Sequence, residues 1–326
     1  MVRSSTRYDV LAAALGSRAT RDQPLGPLTT YGVGGPASLF VEVQDADDLA
    51  VVRLALRGSG VPVFVVGRGS NLLVSDAGFD GVAVRLGSGF NSIGLPQSRH
   101  PGAEPFLVQA GGAVPLPVLA RQVADGGWSG LAWAVGVPGS VGGAVRMNAG
   151  GHGSDMAACL HRYTWVDLLS EAEGTSDLAR LRYGYRSSSV GPSELVLDAQ
   201  LLVAPGSAER ERAEVRSIVQ WRRSHQPGGA NAGSVFTNPP GDSAGRVIEA
   251  AGLKGCRIGT AHVSVKHANF IQSDKGGRAG DVWALISHVR EVVLKRRGVA
   301  LSTEVRLLGF PDGENGAMVL GEGNDA

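Results

Sequence analysis

The apolar positions change period several times along the chain, and each change marks an element. Leu39–Val43 alternates as a strand does. Asp45 stands where a helix would be capped, ahead of Leu49, Val52, Ala55 and Leu56 on one helical face that runs to about Arg57. Val61–Val66 and Asn71–Ser75 are short apolar runs, and Gly81–Leu86 follows a turn, so this stretch predicts a small α/β unit. Residues 88–104 read as a loop, Phe106–Gln109 as a strand, and Pro115–Asp125 as a helix ended by Gly126 and Gly127. Trp128–Gly153 is the densest glycine region, and Tyr163–Leu169 and Leu195–Val203 again have strand character.

From about Ala204 the character changes. A charged helix is predicted over roughly Glu209–Arg223, and further helices over Gly245–Ala251 and Asp281–Arg296. Strands are expected near Arg257–Val265 and His267–Ile271. The Pro205–Gly206 turn marks a domain boundary. The expected organisation is a polar preamble at 1–27 with a short helix near Val10–Leu15, then a first domain at 28–205 with subdomains 28–87 and 88–205. A second domain follows at 206–299, then a returning strand at 300–310 and a loose tail at 311–326. Alternation in Ala300–Leu308 puts Leu301, Thr303, Val305 and Leu307 on one face and Ser302, Glu304 and Arg306 on the other. No internal repeat is found.

Composition agrees with two cores. The chain has 326 residues, of which 43% are hydrophobic and 19% charged, which excludes wholesale disorder. Lys and Arg total 31 against 30 Asp and Glu, so no excess of positive charge marks a nucleic-acid or anionic-membrane surface. Cys159 and Cys256 form no C-x-x-C pair and read as free thiols of a reducing compartment. The apolar run Val10–Leu15 is too short for a secretion signal, and no stretch is long enough to span a membrane. A cytoplasmic protein without membrane insertion is expected. The 48 glycines are roughly double the usual share and cluster in tight motifs, which points to backbone approaching a ligand.

The first cluster is Gly67-Arg68-Gly69-Ser70-Asn71-Leu72-Leu73, a tight loop between two strands whose N–H groups can form an anion-binding nest. No helix opens at it and no Gly-Lys-Ser/Thr exists, so it is neither a Rossmann fingerprint nor a P-loop, and a plain hairpin turn is the bland alternative. The second runs from Gly136 to Gly150 as Gly-Val-Pro-Gly-Ser-Val-Gly-Gly-Ala-Val-Arg-Met-Asn-Ala-Gly. Its small side chains would let a long flat ligand lie against the backbone, or two backbones pack closely. Two such cradles favour a large phosphorylated cofactor. Elsewhere Tyr185-Arg186-Ser187-Ser188, Gly233-Ser234-Val235-Phe236-Thr237-Asn238-Pro239 and Glu304 stand out as polar sites, each with an ordinary structural alternative. His262, His267 and Cys256 have no recognised zinc spacing, so no metal is expected. The lack of Gly-x-Ser-x-Gly argues against an α/β-hydrolase.

Gly67–Val74, Gly136–Ala144 and Asn148–Gly150, with Gly32-Val33-Gly34-Gly35-Pro36-Ala37, closely resemble the UDP-N-acetylenolpyruvoylglucosamine reductases (MurB family) from about Leu28 to Phe310. The resemblance implies an α+β fold: a vanillyl-alcohol-oxidase-type (PCMH-type) domain holding non-covalent FAD, plus a C-terminal α+β substrate-binding domain. It implies cofactor contacts at Gly67, Arg68, Gly69, Ser70, Asn71 and Leu72 around the pyrophosphate. Gly136, Ser140, Gly142, Gly143, Ala144, Asn148, Gly150 and Arg306 would line the flavin side. It implies NADPH as hydride donor, sharing one site in turn with UDP-N-acetylglucosamine enolpyruvate, and a place in peptidoglycan precursor synthesis.

By the same resemblance Arg186, Ser234 and Glu304 fall where the family keeps catalytic residues. Hydride delivery to the β-carbon of an enolpyruvyl ether leaves an enolate-like charge, which a cation and a hydrogen-bonding acid must stabilise and a positioned donor must protonate. Arg223, His225 and Asn238 are the implied substrate contacts. The short spacing from Arg186 to Ser234 resembles the family's second type, which lacks a Tyr-bearing loop over the substrate. His225 and Thr237 stand where the family usually has Lys. The rival readings are another FAD-dependent oxidoreductase of the fold, such as an alcohol or sugar oxidase, and a non-catalytic UDP-sugar-binding protein.

Overall fold

The computed structural model describes residues 5–100 and 105–311. The tail read at 311–326 therefore lies outside the described residues, apart from its first. Most of the expected elements form. Asp45 caps the helix Ala46–Leu56 by accepting from the Asp48 N–H, and Leu49, Val52 and Leu56 are its buried face. The helix Leu116–Asp125 buries Leu116, Leu119, Ala120, Val123 and Ala124, the spacing of one helical stripe.

Three sheets carry the fold. The first has four strands in the order Ala19–Pro24, Pro36–Val43, Phe79–Leu86, Val63–Val65. Its first pair is antiparallel and the others are parallel. The second sheet is antiparallel and runs Glu173–Ser176, Leu160–Asp167, Glu194–Pro205, Phe106–Gly111, Ile93–Gly94. The third is a small antiparallel sheet of Arg257–Ile258, Ala261–Val263 and Ile271–Ser273, covered by the helix Ala279–Arg297.

Three readings need correction, and one helix is not among the expected elements. The stretch read as a preamble contributes the helix Ser5–Leu15 and the edge strand Ala19–Pro24; that strand is polar and exposed, so it shows no apolar alternation. Within the glycine-rich string, Val141–Met147 is a helix, with Ser140 accepting from the Gly143 N–H as its cap. The charged helix Ala208–His225 does not open a separate second domain: Val215 and Ile218 join Leu119, Trp133 and Val145 in the core of the second sheet. The core of the third sheet instead begins at Ala232 in this part of the chain, and it also takes in Tyr31, Val33 and Leu73 from the first domain. Finally, regular strand in 300–310 is confined to Arg306–Leu308. The alternation around it is sound, since Leu301, Val305 and Leu307 are buried in the third core.

That last strand pairs in parallel with Leu72–Val74, immediately after the first glycine loop. Thr303 bridges Phe236, and Glu304 donates its N–H to the Val235 carbonyl at 2.8 Å. The chain end thus touches both domains. Leu73, fully buried, sits in the strand of one domain and packs in the core of the other. Leu73→Ala should lower unfolding free energy by about 2–5 kcal/mol in urea titration, the range for a large-to-small change in a packed core.

Candidate active site

Two contiguous cavities, of about 480 Å³ and about 560 Å³, open between the sheets. Both are walled by Val65, Val66, Gly67, Arg68, Ser140, Gly143 and Arg146, which form a common waist. The smaller lobe runs on past Gly142 to Glu42, Arg85 and Ser88, and the larger runs to Arg186, Ser234 and Glu304.

The first glycine loop is built by its own contacts. Gly69 has φ +62°, and a Cβ there would strike the Leu28 carbonyl. Ser70 Oγ donates to the Pro138 carbonyl at 2.9 Å and so ties the two glycine strings together. Asn71 holds the chain end: its Nδ2 donates to the Glu304 carbonyl at 3.0 Å, and its own carbonyl accepts from the Arg306 N–H at 3.1 Å. In the second string a Cβ on Gly142 would press on the carbonyls of Val196 and Gly112 at 3.1 and 3.2 Å.

Arg186 sits on a tight turn in which Gly184 and Ser187 exchange backbone hydrogen bonds. Its φ of +55° is the left-handed region that non-glycine residues rarely occupy. Asn148 holds the turn in place. It is buried, itself left-handed at φ +41°, and caps the helix Val141–Met147. Its Nδ2 donates to the Gly184 carbonyl at 3.1 Å and its Oδ1 accepts from the Ala157 N–H at 3.0 Å. The Arg186 guanidinium donates to the carbonyls of Asn148 and Gly150, at 3.4 and 2.7 Å, and its Nε lies 3.2 Å from Glu304 Oε1. Both side chains of this pair are mostly buried, at 22% and 16% exposure, so solvent screens it weakly.

Burial pushes the Glu304 carboxyl above its ordinary range, and the adjacent Arg186 charge and hydrogen bond pull it back in part. Ser234 follows Gly233, which has φ +75°, and precedes Val235, whose carbonyl holds Glu304. No hydrogen-bond partner of the Ser234 hydroxyl is found among the described residues. The arrangement supplies a cation, a carboxyl that protonates readily, and a free hydroxyl on the walls of one cavity.

Of the other expected contacts, Arg68, Ser70, Leu72, Gly136, Ala144, Gly150, Arg306 and Asn238 line the larger lobe. Asn148 lines neither lobe and serves the Arg186 turn instead. Arg223 also lines neither; its helix neighbour Arg222 does, together with Trp221 and Gln226. His225 lies outside the lining, stacked on Trp221 at 4.5 Å with Nδ1 2.8 Å from the Trp221 carbonyl. Thr237 is tied by its N–H and its Oγ1 to the Ser302 carbonyl.

The paired lobes suit a dinucleotide: they are joined end to end, glycine-walled at the waist, and contain a buried Arg306 Nε without a hydrogen-bond partner. Arg186→Met should move the Glu304 titration to higher pH, because it removes both influences that favour the carboxylate. The carboxyl carbon shift of Glu304 measured against pH reads this directly, and a lower or unmoved midpoint contradicts the pairing.

Comparison with known proteins gives concordant matches. Residues 37–176 match the model of an FAD binding domain, and residues 225–308 match that of the C-terminal domain of UDP-N-acetylenolpyruvoylglucosamine reductase. UDP-N-acetylenolpyruvoylglucosamine reductase 2 of Symbiobacterium thermophilum is 40% identical over 296 residues, covering 90% of this chain and 92% of its own. The reductase of Rubrobacter xylanophilus is 40% identical over 297 residues, covering 89% and 95%. The crystal structure of UDP-N-acetylenolpyruvylglucosamine reductase (MurB) from Thermus caldophilus superposes with a TM-score of 0.75 at 33% identity, covering 89% of this chain and 98% of that one.

Proposed function

The chain belongs to the UDP-N-acetylenolpyruvoylglucosamine reductase family, and on that premise we propose that Arg186, Glu304 and Ser234 carry its chemistry in the larger lobe. The protein is an FAD-dependent oxidoreductase that reduces UDP-N-acetylglucosamine enolpyruvate to UDP-N-acetylmuramate with NADPH, a step of peptidoglycan precursor synthesis. No helix among the described residues is long and apolar enough to cross a membrane. We assign the reaction to the cytoplasm, where NADPH is at hand.

The residues that would hold FAD are those of the glycine loop Gly67–Leu72, the segment Gly139–Ala144 and Arg306. What FAD supplies when bound is hydride transfer, taken from NADPH and delivered to the β-carbon of the enolpyruvyl double bond. The protein's part is to stabilise and then quench the charge left behind. Reduction at the β-carbon leaves a negative charge shared by the α-carbon and its carboxylate. Arg186 presents a fixed guanidinium to that charge. Glu304, whose neutral form is favoured by burial, can donate a hydrogen bond to the same carboxylate when protonated.

Ser234 is the proton donor. Its hydroxyl has no competing partner among the described residues and lines the same cavity. A serine is a weak acid, so it yields its proton only to a strong base, and the carbanion is one. The serine oxygen then takes a proton back from water, so the net reaction consumes one hydride and one proton. Asn238 and Arg222 line the lobe beyond these residues and offer contacts for the nucleotide part of the substrate.

The observation that carries the assignment is the Arg186–Glu304 contact at 3.2 Å inside a glycine-walled cavity. Loss of NADPH absorbance that depends on UDP-N-acetylglucosamine enolpyruvate tests the function. Turnover with an alcohol or a sugar and oxygen instead, or flavin binding with no turnover, would favour one of the rival readings. Ser234→Ala should slow reoxidation of reduced enzyme by the enolpyruvyl substrate by ~10²-fold or more while leaving reduction by NADPH nearly unchanged. Equal slowing of both half-reactions in stopped flow would make Ser234 a structural residue.

A further inference from the structure

Two guanidinium groups, Arg146 and Arg306, stand at the cavity with no ion pair to a carboxylate among the described residues, although the Glu194 charge partly favours the Arg146 cation. Arg146, on the last turn of the helix Val141–Met147, lines both lobes at their waist. Arg306 opens the returning strand and lines the larger lobe. The nearby carboxylates are already engaged. Glu194 accepts from both terminal nitrogens of Arg180, at 3.1 and 2.6 Å, and Glu304 is paired with Arg186. Arg306 Nε is sealed from solvent and has no hydrogen-bond partner.

The electrostatics point the same way. Burial, and then the neighbouring Arg306 charge, pull Arg146 down to about 10, and burial lowers Arg306 as well. Burial weakens the preference of each group for its charged form, and an anion beside them would offset that. Guanidinium groups are suited to the role because their fork matches two phosphate oxygens bidentately and stays charged across the physiological range.

We propose that Arg146 and Arg306 together form a seat for a negative charge of the bound dinucleotide, which makes Arg146 a cofactor-holding residue of this chain. The inference rests on the reading that the paired lobes take FAD. A dinucleotide threaded through both lobes passes its linking pyrophosphate through the waist that Arg146 walls. The same molecule also carries negative charge at a second place, its ring system, when fully reduced. Either charge satisfies the two cations, and experiment separates them.

The test compares full-length wild type with Arg146→Gln and Arg146→Lys, with Arg146→Met in place of Gln if that variant does not fold. Affinities of the deflavinated proteins for FAD and for riboflavin are measured by flavin fluorescence, and the midpoint potential of bound FAD by dye equilibration. If the pyrophosphate sits there, Arg146→Gln weakens FAD at least tenfold, leaves riboflavin affinity unchanged and leaves the potential in place. If the reduced ring sits there, affinity for oxidised FAD changes little. The potential then falls by about 30 mV for each tenfold loss of preference for the reduced form. In both cases Arg146→Lys recovers part of the loss. Unchanged FAD affinity at unchanged potential overturns the proposal, and so does an equal loss for FAD and riboflavin. Wild type that binds no FAD at all would instead overturn the functional reading on which the proposal rests.

Discussion

The site depends on how the backbone of Glu304 is held from both sides. Its N–H is given to Val235 in one domain, and its carbonyl accepts from the Asn71 side chain in the other. Two residues on, the chain continues as a parallel strand beside Leu72–Val74. A carboxyl carried on an exposed loop would ionise freely and wander. Glu304 is held in place because its backbone is bonded across the domain junction, and burial raises its carboxyl above the ordinary range while Arg186 pulls it back in part. The same pairing places it 3.2 Å from Arg186, a residue 118 positions earlier in the chain. The acid, the cation and the glycine loop are therefore one assembly, and it forms only when the chain end returns.

This assembly holds strain and uncompensated charge together. Two linked residues, Asn148 and Arg186, occupy left-handed backbone, which costs on the order of 1–3 kcal/mol each where the residue is not glycine. Burial disfavours the charged forms of Glu304, Arg146, Arg222 and Arg306. The cations outnumber the acid, so the cavity is short of negative charge. A dinucleotide phosphate and an anionic UDP-sugar carry the charge that is lacking. Binding of those anions relieves the burial cost of Arg146, Arg222 and Arg306 away from the reacting groups, and binding energy of that remote kind can be spent on orienting the reacting parts.

Much of this was legible in the sequence, and the parts that were not share a physical cause. The glycine strings, the caps and the alternation in the last strand are local signals, and each reports a local constraint correctly. The helix Val141–Met147 was hidden because adjacent glycines lower helix propensity, and the Ser140 cap and tertiary packing outweigh that here. The Pro205–Gly206 turn does not separate the helix Ala208–His225 from the preceding core, because a Pro-Gly turn marks the end of a strand, not the end of a packing unit. The Asn148 amide serves a turn 36 residues away, a pairing that sequence spacing cannot reveal. Arg222 and Arg223 are adjacent, so only the helix phase decides which reaches the cavity. That phase is fixed by Val215 and Ile218 in the core.

The glycine strings also show why a motif can identify a family for reasons other than ligand contact. Gly69 is required by the Leu28 carbonyl and by its own positive φ. Gly142 is wedged between the carbonyls of Val196 and Gly112, and Gly150 lies against Ser154 and Asp155. In each case protein atoms fill the space on the side where a Cβ would point, while Gly69 and Gly150 still line the larger lobe. The close packing of these strings brings two separate chain segments, 65–68 and 140–146, to the waist, and the cavity is what remains beside them. A substitution at such a glycine would fail first in folding and only then in binding. The bland explanation for these glycines and the functional one are therefore consecutive steps of one argument: backbones pack closely, and that packing leaves room for a dinucleotide.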